Sequence, residues 1–143
     1  MQIQQLSIFI ENKPGRLAEI TEVLAAANID IRAISVADTS DFGILRVIVD
    51  QPEKAVTTLK EHGMTVSLTN VIAVGIDDRP GAFAKAVRIL ADAGLDMEYM
   101  YAFISRDQGK AFVIIRTNNA QKASEILHEN GIELLTPEAL YHM

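Results

Sequence analysis

Asn12-Lys13-Pro14-Gly15 returns as Asp78-Arg79-Pro80-Gly81, each time between an apolar strand-like run and an apolar helix-like run. The two are 66 residues apart, and the correspondence extends on both sides. Leu17, Ile20 and Leu24 match Phe83, Ala86 and Leu90; Ala27-Asn28-Ile29-Asp30 matches Ala93-Gly94-Leu95-Asp96; Gly43 matches Gly109. The chain therefore reads as two copies of one module.

Working outward from the first tetrapeptide, Gln2 to Ile10 puts Leu6, Ile8 and Ile10 on one side at period two, the mark of a half-buried strand. After the turn, Leu17, Ile20, Leu24 and Ala27 recur at spacings of three and four, which predicts an amphipathic helix. Ile29 to Ala37 and Ile44 to Asp50 are rich in β-branched residues and flank the turn-prone stretch from Asp38 to Gly43, so they read as a hairpin. Pro52 opens a second helix, Gly63 ends it, and Thr65 to Leu68 closes the module. The order βαββαβ is a split βαβ unit with two helices on one face of an antiparallel sheet.

The second copy repeats the order: Asn70 to Ile76, Gly81 to Ala93, Asp96 to Ile104 with Lys110 to Arg116, Ala120 to Asn130, and Ile132 to Leu135. Gly131 follows Gly63 by 68 residues, which places a two-residue insertion just ahead of the second copy's last helix. The expected fold class is α+β, two ferredoxin-like modules in tandem, with domains at 1–68 and 69–143. Almost no linker separates them, so a fixed arrangement is expected, with sheets either continued edge to edge or stacked.

Composition narrows the function. With 143 residues and 49% hydrophobic content, the chain has ample core-forming material. Nineteen acidic against thirteen basic residues give a net charge of -6, which argues against nucleic acid and against anionic membranes as partners. Met1 to Ile10 lacks the pattern of a signal peptide, and no run reaches the roughly 18 apolar residues of a spanning helix. Cysteine is absent, which removes disulfide and thiolate chemistry and agrees with a cytoplasmic location. His62, His128 and His142 lack metal-ligand spacing, so neither a metal nor a cofactor is expected. Asp77-Asp78 and Asp38/Asp41 read as loop solvation, and no serine has a nucleophile context, so no catalytic residue is assigned.

The tetrapeptide carries the chemistry. Pro14 presets the first central position of a turn, and Gly15 tolerates the positive φ that a type II turn needs at the second. Beyond it the first-turn N–H groups at Gly15, Arg16 and Leu17 lack intrahelical partners and sit at the positive end of the helix dipole, a place for a carboxylate oxygen. A P-loop's several glycines and Lys-Ser/Thr pair are missing, which disfavours phosphate. Asn12 with Asp30, and Asp78 with Asp96, flank the two helices at equal separation and offer acceptors for an α-ammonium. Their proximity within one module is not assured, so a ligand would bridge modules.

The strand-end polar residue, Lys/Arg-Pro-Gly, the Leu/Phe-x-x-Ile/Ala helix face and the Asn28-Ile29-Asp30 or Gly94-Leu95-Asp96 helix exit resemble the ACT domain. That resemblance covers Ile3 to Leu135 and implies a small regulatory module that binds an amino acid between modules. By it the ligand-binding residues are Asn12, Pro14, Gly15, Arg16 and Leu17 with Asp30, and Asp78, Pro80, Gly81, Ala82 and Phe83 with Asp96. The family often has Asn at the helix exit, where an aspartate keeps acceptor but loses donor capacity. The expected partners are a small-molecule amino acid, a second copy of the chain in a homodimer, and a regulated enzyme of amino-acid metabolism.

Plainer readings stand beside these. Pro-Gly can be a turn alone, with Asn12 or Asp78 capping its helix, and Asp30 and Asp96 can be solvated strand ends. Met97, Tyr99, Tyr101 and Phe103 alternate where the first copy has Ile31, Ala33, Ser35 and Ala37; they either fill a packing surface or put Tyr99 and Tyr101 in a ligand pocket. Arg16 opposite Ala82 makes the two sites unequal. The alternative function is an interaction module without ligand. An RNA-recognition role lacks its aromatics between Ile44 and Asp50, and a small acyl-phosphatase role lacks its phosphate cradle.

Overall fold

The computed structural model describes residues 2–38, 41–103 and 109–142. Thr39, Ser40, Ile104 and the side chain of Asp38, which the sequence reading placed in the two hairpins, lie outside the described residues. Contacts divide the chain into two units, one formed by Gln4–Thr69 and the other by the chain from Asn70 onward with Ile3. Each unit is an α+β module with its helices on one face of an antiparallel sheet.

The first unit runs β1 (Ile3–Glu11), α1 (Arg16–Ala26), β2 (Ile31–Asp38), β3 (Phe42–Val49), α2 (Pro52–Glu61) and the start of β4 (Thr65–Asp77). Its strands lie in the order β2-β3-β1-β4. The period-two residues Leu6 and Ile8 of β1, with Leu45, Val47 and Val49 of β3, form the floor of the core. Ile20 and Leu24 of α1 and Ala55 and Leu59 of α2 close it from above. The register Leu6 with Val47 and Ile8 with Leu45 keeps these side chains on one face.

The second unit continues with β4, then α3 (Ala82–Asp92), β5 (Met97–Phe103), β6 (Lys110–Thr117), α4 (Ala120–Glu129) and the short β7 (Glu133–Leu134). Strand order is β4-β6-β5, with β7 on β4. Ile72, Val74 and Ile76 of β4 pack with Val113 and Ile115 of β6 under Ala86 and Leu90 of α3 and Leu127 of α4. The last helix, α5 (Pro137–Tyr141), was not expected; Pro137 opens it, Thr136 caps it by accepting from the Ala139 N–H at 3.0 Å, and Leu140 is buried.

All four main helices end alike. In α2 the Met64 N–H donates to Leu59 O at 3.1 Å and the Gly63 N–H to Lys60 O at 3.0 Å, the two bonds of a Schellman motif. Asn28, Gly94 and Gly131 occupy the position of Gly63, at φ of 58°, 73° and 76°. Asn28 is the non-glycine of the set, and asparagine tolerates this region better than most residues.

Four details differ from the sequence reading. First, Thr65 to Leu68 and Asn70 to Ile76 are not two strands: β4 runs unbroken over 13 residues. Second, the extra two residues do not lie ahead of α4. Glu11 pairs with Phe42 and Asp77 with Lys110, so β6 is already 68 residues from β3, the insertion falls between β5 and β6, and Gly43 corresponds to Ala111 and not to Gly109. Third, the last strand is only β7, two residues long. Fourth, a bulge between Met97 and Tyr99 breaks the alternation, so Met97 packs against the helix-covered core while Tyr99, Tyr101 and Phe103 face away from it. β2 carries the same bulge between Ile31 and Ala33.

Truncating a buried helix anchor leaves a cavity that the surrounding elements fill only in part. We expect Leu59→Ala to lower stability by about 2–5 kcal/mol, while Leu68→Ala, at 39% exposure, stays within about 0.5 kcal/mol. Urea unfolding of both variants checks the difference.

Candidate functional site

Both Pro-Gly segments fold as the expected turn. Gly15 has φ 89° and ψ -13°, Gly81 has φ 89° and ψ -16°, and both match the second central position of a type II turn. The closing bonds run from Arg16 N–H to Lys13 O at 3.2 Å and from Ala82 N–H to Arg79 O at 3.3 Å. Each turn is also tied to its hairpin, through Asn12 N–H to Asp41 O and Asp78 N–H to Gly109 O, both at 2.9 Å.

These turns end in α1 and α3, whose N-caps are Gly15 and Gly81 with no side-chain cap. Asn12 and Asp78 therefore do not cap the helices. The contrast with α4 is direct, because there Asn119 caps by accepting from the Lys122 N–H at 3.1 Å. Arg16 N–H, expected to be open, is used by the turn. The N–H groups of Gly15, Leu17 and Ala18, and those of Gly81, Phe83 and Ala84, have no acceptor among the described residues. Three orphan donors at a positive helix end suit one carboxylate.

Beside the first turn lies a cavity of about 260 Å³, lined by Phe9, Ile10, Glu11, Arg16, Glu19, Ile20, Phe42 and the segment His62 to Thr65. Its rim is an ion-pair chain. Glu11 meets Lys13 Nζ at 2.9 Å, Arg16 meets Glu19 at 3.2 Å, and Arg16 comes within 3.9 Å of Glu11. The second turn adjoins a smaller cavity of about 120 Å³, whose walls include Gly75, Asp77, Ala82, Lys85, Lys110 and Glu133. The rim carboxylates of the two cavities correspond, Glu11 to Asp77, and both titrate below the usual carboxylate range. For Glu11 the main cause is the hydrogen bond from Lys13, followed by the charges of Lys13 and Arg16. For Asp77 it is the hydrogen bond and charge of Lys110, with Arg79 contributing less.

Of the residues expected at the site, Pro14, Gly15, Arg16 and Leu17 gather at the first helix mouth with Asn12 just ahead, and Pro80, Gly81, Ala82 and Phe83 at the second with Asp78. Asp30 and Asp96 do not join them within a module. They lie past the far ends of α1 and α3, each 11 residues long, or about 16 Å at 1.5 Å per residue. Asp30 is paired there with Arg32 at 2.7 Å, and the Asp30 and Asp96 N–H groups bond the Asp50 and Asn118 side chains. Tyr99 and Tyr101 line neither cavity, standing opposite Arg116 and Ile114 on β6. Phe9, Phe42 and His62 to Thr65 were missed: Phe42 and His62 to Thr65 lie far from Pro14 in sequence, and Phe9, close to it, alternates out of step with Leu6, Ile8 and Ile10.

Fold and site thus define a tandem pair of small α+β modules with a matched helix-mouth turn in each. The family model of the ACT domain pair matches residues 1–143, and the chain belongs to that family. It is similar to a solved Bacteroides thetaiotaomicron protein, with 44% identity, a TM-score of 0.94, and coverage of 100% of this chain and 98% of the other. It shares its fold with the ligand-free regulatory subunit of aspartate kinase from Thermus thermophilus, at 19% identity and a TM-score of 0.64, covering 88% and 91% of the two chains. The Thermus flavus regulatory subunit aligns similarly, at 20% identity, a TM-score of 0.62 and coverage of 88% and 90%. No curated protein matches. Among the described residues no helix is long and apolar enough to cross a membrane, and no cluster of His, Asp and Glu could hold a metal.

A Cβ at Gly15 or Gly81 would touch nothing within 4 Å, so the constraint there is backbone conformation alone. Gly15→Ala and Gly81→Ala should each cost about 1–2 kcal/mol in denaturant unfolding. A carboxylate with a depressed folded pKa stabilises the fold above its unfolded pKa and loses that contribution as pH falls through the folded one. Asp77→Asn should therefore flatten the acid limb of stability below the ordinary aspartate value of about 3.9. In an NMR titration, Lys110→Met should return Asp77 toward that value.

Proposed function

We propose that this protein is a regulatory ACT pair, with modules at 1–68 and 69–143, that binds an amino acid at its Pro-Gly turns. The observation that carries the reading is the set of uncapped N–H groups at Gly15, Leu17 and Ala18, repeated at Gly81, Phe83 and Ala84, in helices whose other ends are closed by Schellman bonds. A ligand carboxylate would accept from these donors. Its ammonium would turn to the rim carboxylates, Glu11 and Glu19 at the first mouth and Asp77 at the second. Asn12 and Asp78 would supply further polar contact, and an ACT module of a second copy would cover the bound ligand. Asp30, Asp96, Tyr99 and Tyr101 could take part only from such a neighbouring module. Binding that favours one packing would alter what the protein does to a cytoplasmic enzyme of amino-acid metabolism.

The alternative, an interaction module with empty turns, has its own observation. Phe9, Phe42 and Ile44 are exposed together on the face away from the helices, and Ile34 and Val36 are exposed on the edge strand β2. Thermal-shift screening and calorimetry with the twenty amino acids separate the two. Ligand at 100 times Kd adds about 2.7 kcal/mol, so a rise in Tm of several degrees is expected with a bound amino acid, and its loss in Gly15→Asp or Gly81→Asp. No shift with any amino acid, or unchanged binding in both variants, would leave the interaction module standing.

A further inference from the structure

The cavities beside the two helix mouths occupy corresponding places in their modules yet are filled differently. By strand register and Schellman position, Phe9 corresponds to Gly75, Phe42 to Lys110, Arg16 to Ala82 and Thr65 to Glu133. In the first cavity Phe9 and Phe42 stack with ring centroids 5.0 Å apart, and both remain open to solvent, at 52% and 44% exposure. They give the space an aromatic wall beneath a charged rim. The second has no ring at either position.

What stands there instead is an ion pair. Lys110 Nζ is 3.2 Å from Asp77 and 3.8 Å from Glu133. The Glu133 carboxylate lies over Gly75 so closely that a Cβ on that residue would be 2.9 Å from Oε2. The Phe112 ring is as close, at 2.9 Å from that Cβ, so Gly75 makes room for both the carboxylate and the ring. At these two positions the first mouth has Phe42 and Thr65, so a cation and a carboxylate stand in the second mouth where the first has an aromatic ring and a small uncharged side chain. The remaining volume is about 120 Å³, less than half of the 260 Å³ in the first cavity.

We propose that the Lys110–Glu133 pair closes the second mouth from within, and that the first mouth alone takes a ligand, an amino acid with a large apolar or aromatic side chain. The side chain rests on the Phe9–Phe42 wall, the ammonium is drawn to Glu11 and Glu19, and the carboxylate to Arg16 and the open N–H groups. This assignment rests on the amino-acid reading above and specifies which of its two sites is filled and by what class.

Calorimetry on the full chain with phenylalanine, leucine and glycine tests it. The expected result is one ligand per chain, with phenylalanine or leucine bound at least tenfold more tightly than glycine. Phe42→Ala, and independently Phe9→Ala, should weaken that binding roughly five- to tenfold. The double variant Lys110→Phe with Glu133→Thr, which writes first-mouth residues into the second, should leave the first site's Kd unchanged. Circular dichroism of each variant verifies that it is folded. Two ligands per wild-type chain, glycine binding as tightly as phenylalanine, or binding indifferent to both phenylalanine substitutions would overturn the assignment. If Gly15→Asp or Gly81→Asp still abolished binding in those cases, the amino-acid function would survive. No binding by any amino acid would remove both.

Discussion

The positive φ of Gly15 and Gly81 is the constraint from which each module is built. At 89° neither position suits a residue with a Cβ, and both place the following helix at a fixed angle to the strand before it. That angle brings Leu24 and Leu90 down onto the sheet, where both are fully buried. It also separates the turn's own hydrogen bond from the helix's donors. The turn closes with a single N–H and leaves three others of the first turn without partners, so one glycine serves both packing and the site.

How the cores are assembled was open to reading from the sequence, because it depends on local periodicity. Leu6 and Ile8 at period two, Ile20 and Leu24 at helical spacing, and Pro52 and Gly63 as boundaries all act through neighbours in the chain. The misreadings share a different cause. A bulge at Met97 leaves composition unchanged while reversing every following side chain, and only the pairing partner reveals it. The insertion was misplaced because Gly43 and Gly109 share a letter, whereas hydrogen-bond register aligns Gly43 with Ala111. Thr65 to Leu68 and Asn70 to Ile76 read as two strands meeting at Thr69, yet β4 runs through that largely exposed stretch without a break.

The site was legible to the same depth. The turn, its type and its two glycines follow from four residues in a row. What fills the space beside it does not, since Phe42 and Met64 reach that space from a strand and a loop far along the chain. Asp30 and Asp96 show the converse: equal spacing from the turn in both copies is a symmetry of sequence, and a helix of 11 residues keeps such positions apart. The two modules have kept a common backbone while the side chains lining their cavities have changed, Arg16 against Ala82 and Phe42 against Lys110.

The bulges in β2 and β5 match. Each interrupts its ladder at the same step, between Ile31 and Ala33 and between Met97 and Tyr99, although Ala33 and Tyr99 share neither size nor chemistry. A defect at one register, present with such different side chains, belongs to the backbone of the module and not to the residues it carries.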